Sequence, residues 1–309
     1  VYAASEGLKV TAIDAAAPGG QASTSSKIEN YLGFPTGISG RELADRAAVQ
    51  ANKFGTRIAS PVAASELACQ GCHYAVTTTD GRVLQGRSVV TASGARYRRL
   101  PIPNLDQFES QGVYYAATGM EAQLCQGEEV ALVGGGNSAG QAAVFLSGVA
   151  RHVHLSIRRD NLAATMSDYL IRRIDETPNI TVHADTEIVG LHGDHHLEEI
   201  DVLVRADGET KRYPARHLFV FIGAEACTDW LDGQVALDDK GFVKTGAMLT
   251  DEDLAAGGWT LRRQPSVYET SRPRLYAVGD VRAGSTKRVA SAVGEGSVVV
   301  QFIHQALAE

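Results

Sequence analysis

The fold is decided by residues 130–146, which have the sequence VALVGGGNSAGQAAVFL. The pattern predicts an apolar strand, a glycine turn and a helix. Gly134 allows the tight turn, Gly136 lets the backbone approach a pyrophosphate, and Ala139 keeps the helix close to the strand. The helix start offers N–H donors and the positive end of its dipole to phosphate oxygens. The stretch therefore predicts a dinucleotide site made of Gly134, Gly136, Asn137, Ser138 and Ala139.

The next predicted strand, at residues 153–157, is followed directly by Arg158 and Arg159. An acidic residue about 20 positions after the glycine loop would bind a ribose hydroxyl and indicate NADH. Guanidinium groups at this place favour the 2′-phosphate of NADPH through charge-assisted, bidentate contacts. We therefore predict NADPH rather than NADH. The alternative is that both arginines are merely solvated.

Outside this stretch, short apolar segments alternate with segments of helical periodicity. Strands are predicted at 9–14, 88–92, 180–183, 200–204, 218–222 and 275–278, and helices at 40–54, 166–176 and 295–307. Residues 57–92 are β-rich, with a hairpin turn at Asp80-Gly81. The alternation predicts parallel sheets with helices on both faces, and the first strand is expected to be buried. The polar residues 251–264 are expected to form a surface loop.

Composition restricts the possible functions. The chain has 309 residues, 44% of them hydrophobic, a net charge of −7 and four cysteines. Such a chain can fill the cores of about two domains, and no run of about 18 apolar residues predicts a membrane helix. The acidic balance argues against nucleic-acid or membrane partners. The few cysteines suit a reducing compartment, so we expect a cytoplasmic protein.

Five further motifs follow one another along the chain. They are Pro18-Gly19-Gly20-Gln21, Ile28-Glu29-Asn30-Tyr31, Thr91-Ala92-Ser93-Gly94, Phe219-Val220-Phe221-Ile222-Gly223 and Tyr276-Ala277-Val278-Gly279-Asp280. In this order and spacing, the chain resembles the low-molecular-weight thioredoxin reductase family over nearly its whole length. The resemblance implies an α/β fold of two Rossmann-like, three-layer ββα domains, the second inserted into the first. It implies an FAD domain at 1–113 and 241–309, an NADPH domain at 114–240, and a homodimer.

The resemblance also implies which residues bind FAD. Asp14 would hold the ribose, and Val62 would lie near the adenine. Asp280 would hold the ribityl chain, while Arg288 and Val289 would offer backbone N–H groups to the flavin N1/O2 edge. The other residues assigned to cofactor binding are Gly19, Gly20, Gln21, Asn30, Ala92, Ser93, Gly94, Gly223 and Gly279. A helix N-terminus near N1 has a physical rationale, because reduced flavin is anionic there.

The sequence departs from the family at its start. The family begins with a strand and a glycine loop that holds the FAD pyrophosphate, whereas Val1 falls in the helix that follows that loop. We therefore expect that the sequence is a fragment of a longer protein and that it binds FAD poorly or not at all.

A second departure concerns the redox cysteines. The family carries Cys-Ala-Thr-Cys where this chain has Ala116-Ala117-Thr118-Gly119. Dithiol–disulfide exchange needs one attacking thiolate and a second, resolving one. Cys69-Gln70-Gly71-Cys72 has the right spacing, but it lies in the β-rich segment rather than at a helix start that could lower a thiol pKa. The histidine-rich residues 192–196 are interpreted as a turn, and no metal site is predicted.

We therefore predict an FAD-dependent NADPH oxidoreductase, with small-molecule nucleotides as partners. Hydride would pass from NADPH to flavin. The acceptor is open: a ferredoxin or flavodoxin, a quinone, oxygen, or a fused domain. One alternative is a thioredoxin-disulfide reductase with an unusual cysteine arrangement, and another is a flavin/NADPH redox sensor without turnover. No general acid or base is identified, so no catalytic residue is assigned.

Overall fold

The computed structural model describes residues 1–24, 28, 31–71, 73–109, 111–231 and 233–309. The chain folds into two compact units. The discontinuous unit consists of residues 1–96 and 225–309, and the inserted unit of residues 97–224.

Both limits of the inserted unit lie earlier in the chain than the predicted limits of 114 and 240. Phe108 and Val113 are each 1% exposed and pack in a core of the inserted unit with Leu218. Leu231 and Val235 pack instead in the core of the discontinuous unit. The segments just before each predicted limit therefore belong to the other unit, because their apolar residues are buried there.

The helices and strands of the described residues are as follows. The helices are α1 (Tyr2–Ser5), α2 (Gly40–Lys53), α3 (Leu105–Phe108), α4 (Gly119–Leu124), α5 (Asn137–Ser147), α6 (Asp168–Asp175), α7 (Asp251–Ala256) and α8 (Val289–Ala308). The first nine strands are β1 (Thr11–Ile13), β2 (Arg57–Ala59), β3 (Ala64–Gln70), β4 (His73–Thr78), β5 (Val83–Gly86), β6 (Val89–Thr91), β7 (Ala95–Tyr97), β8 (Val113–Tyr114) and β9 (Glu129–Val133). The other eight are β10 (His152–Ser156), β11 (Ile180–His183), β12 (Thr186–His192), β13 (Glu199–Val204), β14 (Glu209–Pro214), β15 (Leu218–Val220), β16 (Ala224–Ala226) and β17 (Leu275–Ala277).

The inserted unit is built on a parallel sheet with the strand order β11-β10-β9-β15-β8. Successive residues of β9 point to opposite faces. Val130 and Leu132 pack with α5 and α6 in one core, whereas Ala131 and Val133 pack against the antiparallel sheet β12-β13-β14 in another. The second face is therefore covered mainly by a sheet, with the short helix α3 beside it, and the expectation of helical layers on both faces was wrong for this unit. The three-layer ββα arrangement is confirmed.

Among the described residues, three small sheets lie wholly within the discontinuous unit, which also contains the helices α1, α2, α7 and α8. Strands β1 and β2 form one parallel pair, β6 and β17 form another, and β3-β4-β5 is antiparallel. The predicted hairpin at Asp80-Gly81 is confirmed between β4 and β5. The predicted burial of β1 is wrong, because Thr11 and Ala12 are exposed. Among the described residues, β2 is the only strand that pairs with β1.

One smaller expectation also changed. The predicted loop at 251–264 begins with α7, which is capped by a reciprocal pair of hydrogen bonds between Thr250 and Asp253. This capping box was visible in the sequence as a threonine followed three positions later by an acid. No helix among the described residues combines the length and the apolar composition that a membrane crossing requires.

Three histidines of the inserted unit lie side by side on β10 and β11. The ring centroids of His152 and His154 are 4.6 Å apart, and those of His154 and His183 are 5.3 Å apart. Glu129 is the acidic neighbour, with a carboxylate oxygen 3.5 Å from His154 Nε2. Burial, together with the neighbouring His154 and His152, lowers the pKa of His183.

We expect the inserted unit to lose stability as the pH falls below about 6.5, the ordinary pKa of histidine. Because the pKa of His183 is lower in the folded chain, the unfolded chain binds more protons in this window, and the free energy of unfolding falls with pH. His183→Asn removes this titration and should make the decline shallower, as measured by urea unfolding at about pH 5.5 and 7.5. His195→Asn, at a side chain that is 92% exposed, is the control. Identical pH dependence in His183→Asn and the parent chain would contradict the assignment.

Candidate functional site

The glycine loop of the inserted unit joins β9 to α5. Gly134 has a φ of +146°, and a Cβ atom there would lie 2.4 Å from the carbonyl oxygen of Phe221 and 3.1 Å from the Cβ of Ala139. Only glycine fits this position. A Cβ at Gly140 would lie 2.8 Å from the sulfur of Met166, a close approach that the glycine motif alone does not predict.

The start of α5 is open to a ligand. Gly136 precedes the helix in an extended conformation, and no side chain caps the first turn. Asn137 and Ser138 are both exposed. The first N–H groups of a helix have no partner within it, and here no side chain supplies one. The loop and helix start therefore fit a pyrophosphate.

Arg158 and Arg159 lie beside this loop. Strand β10 runs parallel to β9, so the arginines and the loop follow neighbouring strands at the same edge of the sheet. The N–H of Gly134 donates to the carbonyl of Ser156, two residues before Arg158, at 3.1 Å. Both arginines are exposed, and neither forms an ion pair with a residue that the structure describes. Two unpaired guanidinium groups next to the glycine loop and the uncapped helix start suit a 2′-phosphate.

In the discontinuous unit, Asp14 and Val62 are brought together at the end of β1. The side-chain carboxylate of Asp14 accepts a hydrogen bond from the N–H of Ala16 at 2.9 Å. The backbone carbonyl of Asp14 accepts one from the N–H of Val62 at 2.8 Å. Gly19 has a φ of +115°, and a Cβ there would lie 2.4 Å from the Cβ of Ala44. Gly20 and Gln21 open a short 3-10 helix. Asn30 lies outside the described residues.

Asp280 and the start of α8 form a second cluster in this unit. Burial raises the pKa of Asp280, and no hydrogen bond is described for its carboxylate. Such an acceptor suits the hydroxyls of a ribityl chain. Gly279, before it, donates its N–H to Glu295 at 2.6 Å. The N–H of Arg288 already donates to the carbonyl of Thr286 at 2.8 Å, whereas Val289 begins α8, whose first turn has no side-chain cap.

The remaining predicted residues lie near the points where the chain passes from one unit to the other. The hydroxyl of Ser93 donates to the carbonyl of Cys227 at 2.7 Å, and the carbonyl of Gly94 accepts the N–H of Cys227 at 3.0 Å. Ala92 is exposed. Gly223 has a φ of +103°, and its carbonyl accepts the N–H of Arg98 at 2.9 Å.

The two units fit their predicted cofactors to different extents. The inserted unit has the loop, the uncapped helix and the arginines that NADPH requires. The discontinuous unit has carboxylates suited to a ribose and a ribityl chain, at Asp14 and Asp280. Among the described residues of that unit, however, no strand passes through a glycine loop directly into an α-helix. Its fit to the FAD pyrophosphate is therefore incomplete.

No described cysteine replaces the redox pair at residues 116–119. Thr118 there caps α4, and Gly119 is the first residue of that helix. Cys125, at the end of α4, is fully buried, and burial raises the pKa of its thiol. Burial also raises the pKa of Cys227, and Cys69 is exposed. Among the described residues, no three His, Cys, Asp or Glu side chains are grouped so that they could share a metal ion.

Comparison with known proteins identifies relatives over nearly the whole chain. It is 32% identical over 305 residues to NADPH-dependent thioredoxin reductase 3 of Arabidopsis thaliana, covering 96% of this chain and 54% of that protein. It is 30% identical over 298 residues to the thioredoxin reductase of Streptomyces coelicolor, covering 96% and 85%. The crystal structure of thioredoxin reductase from Streptococcus pyogenes matches 99% of this chain and 92% of that one, with 26% identity and a TM-score of 0.82.

These similarities confirm the predicted resemblance, and the structural match confirms the fold of two Rossmann-like domains. The predicted enzyme class and the predicted cofactors, FAD and NADPH, are those of the family. Residues 1–296 match the family model for pyridine nucleotide-disulphide oxidoreductases. The chain therefore belongs to the pyridine nucleotide-disulphide oxidoreductase family.

Proposed function

We propose that the chain binds NADPH through its inserted unit and FAD through its discontinuous unit, and that it is an NADPH-dependent flavin oxidoreductase. The observation that carries the proposal is the glycine loop at Gly134–Gly136, which opens an uncapped helix beside Arg158 and Arg159. When bound, FAD supplies an acceptor for the nicotinamide hydride.

The chain's own residues would bind and orient the nucleotides. The N–H groups at the start of α5 would hold the NADPH pyrophosphate, and Arg158 and Arg159 would hold the 2′-phosphate. Asp14 and Asp280 would accept hydrogen bonds from FAD hydroxyls. The N–H of Val289 points from the start of a 20-residue helix, whose dipole favours negative charge.

We further propose that electrons leave the flavin without a dithiol relay on this chain. Supporting this, residues 116–119 are Ala-Ala-Thr-Gly, and the nearby thiol of Cys125 is buried with a raised pKa, which disfavours the thiolate. The acceptor would then take electrons directly, as a redox protein or a quinone can.

Thioredoxin-disulfide reduction is the second candidate. It is favoured by the names of the relatives and by the spacing of Cys69 and Cys72. The chain spans about half the length of the Arabidopsis relative, at 54%, so the activity of that whole protein extends to this chain only as a proposal.

The decisive experiment follows NADPH oxidation by the FAD-loaded chain with three acceptors in parallel: ferricyanide, menadione, and thioredoxin coupled to insulin. We expect turnover with the first two and none with thioredoxin, and the Cys69→Ser/Cys72→Ser variant should keep its full activity. Thioredoxin reduction that disappears in this variant would establish the second candidate. Bound NADPH without turnover on any acceptor would instead indicate a redox sensor.

We also propose that the protein acts as a homodimer in the cytoplasm, on its similarity to the thioredoxin reductases. Static light scattering of the purified chain tests the dimer, since a monomer mass would contradict it.

A further inference from the structure

The segment 157–167 joins β10 to α6, and its last residues contact the glycine loop and the start of α5. The hydroxyl of Thr165 donates to the carbonyl of Gly135 at 2.7 Å. The N–H of Ser167 donates to Oδ1 of Asn137 at 2.8 Å. Leu162 and Met166, which are 6% and 4% exposed, anchor the same segment in the core below α5.

The contact from Thr165 fixes the direction of a donor on the other side of the loop. The carbonyl of Gly135 and the N–H of Gly136 share one planar, trans peptide group, so they point in opposite directions. Because Thr165 holds the carbonyl on its side, the N–H of Gly136 faces away from it. No acceptor for this N–H is described in the structure.

The hydrogen bond from the N–H of Ser167 likewise fixes the orientation of the Asn137 side chain. A backbone N–H requires an acceptor, so the oxygen of the Asn137 carboxamide is the end that faces Ser167. The NH2 group of that carboxamide therefore points away from Ser167. Asn137 is exposed and is the first residue of α5, so this donor lies beside the uncapped helix start.

We propose that Thr165 and Ser167 are positioning residues of the nucleotide site, which orient the Gly136 N–H and the Asn137 amide for a pyrophosphate before the ligand arrives. The inference rests on the proposed function and deepens it. The Gly136 N–H and the Asn137 amide would bind the pyrophosphate, which NADPH and NADH share. Arg158 and Arg159 would bind the 2′-phosphate, which only NADPH has. Loss of the Thr165 contact therefore weakens both nucleotides equally, because fixed donors bind without a further ordering cost.

Thr165→Val tests this inference, since it removes the hydroxyl with little change of shape. We expect the Kd values of NADPH and NADH, measured by calorimetry on the full chain, to rise together by about fivefold, the effect of one hydrogen bond. Thr165→Ser keeps the hydroxyl and should restore both. Without ligand, amide hydrogen exchange of residues 134–139 should be faster in Thr165→Val than in the parent chain.

The matched control is Thr177→Val, because Thr177 follows α6 and its hydroxyl also donates to a backbone carbonyl, that of Arg173 in the last turn of the helix. It should change neither the Kd values nor the exchange of the loop. Unchanged binding in Thr165→Val, a loss of NADPH affinity alone, or a failure of Thr165→Ser to restore binding would each overturn the inference. A parent chain that binds neither nucleotide would overturn the proposed function, and the inference with it.

Discussion

Gly134→Ala is expected to weaken nucleotide binding strongly and to destabilise the inserted unit more than any other single methyl addition to the loop. The added Cβ would lie 2.4 Å from the carbonyl oxygen of Phe221, at a φ of +146° that L-residues rarely adopt. Hydrogen bonds hold the backbone in place on both sides of this contact. Gly134 is tied to Ser156 at 3.1 Å, and the N–H of Phe221 donates to Val133 at 2.8 Å.

The expected loss of stability combines the backbone strain at a positive φ with the clash of the added Cβ. Backbone strain of this kind costs about 1–3 kcal/mol, and the clash with a fixed carbonyl adds to it, so we expect a loss of about 3 kcal/mol or more. Displacing the loop also turns its N–H groups away from the pyrophosphate, so the affinity for NADPH should fall by at least about tenfold. Urea unfolding and calorimetry measure the two effects.

Gly119→Ala is the control for this variant. Gly119 is the first residue of α4, and a Cβ there would meet no atom within 4 Å. Alanine also favours helix formation, so this variant should be as stable as the parent chain or slightly more stable. The close approach at Gly134 would have no energetic consequence if both variants unfolded at the same urea concentration and bound NADPH equally.

The glycine loop could be predicted from the sequence because its determinants are local. An apolar run, three glycines and a helix with small residues at its start fix the turn without reference to the rest of the chain. Arg158 could be placed beside it for a similar reason, since neighbouring parallel strands end at the same edge of a sheet.

The second covering layer of the inserted unit could not be predicted in this way. Every residue of β14 is exposed, and its sequence ETKRYP lacks the alternation that marks a strand. It forms because β13 offers an edge for pairing. The predicted burial of β1 was wrong because an apolar sequence does not by itself bury a strand. Such a segment is buried only where other layers of the fold cover it.

Finer features of the site depend on contacts between distant residues. Thr165 lies 30 positions from Gly135, and nothing in its neighbourhood distinguishes it from other surface threonines. The limits of the units differ from the predicted ones because Phe108 and Leu231 are buried in cores to which periodicity alone does not assign them. The hydrogen bond from the Arg288 N–H to the carbonyl of Thr286 likewise depends on the backbone conformation of the loop, which the sequence does not predict.

The second large effect is expected at the two arginines. Arg158→Gln/Arg159→Gln should raise the Kd of NADPH by about 100-fold and leave that of NADH within about twofold. The reason is that each guanidinium is exposed and unpaired among the described residues, so a 2′-phosphate is its first charge-assisted partner. The nucleotide without that phosphate gains nothing from either residue. Calorimetry with both nucleotides on the same preparation measures the ratio.

The control for charge uses a second pair of adjacent arginines in the same unit. Arg172→Gln/Arg173→Gln removes two positive charges from exposed side chains in the last turn of α6. If general electrostatic attraction were responsible, both double variants would weaken both nucleotides and the loss would diminish in high salt. If the 2′-phosphate is bound directly, only the variant at Arg158 and Arg159 changes, and only for NADPH. Equal affinities of the parent chain for NADPH and NADH would contradict the assigned preference before any variant is made.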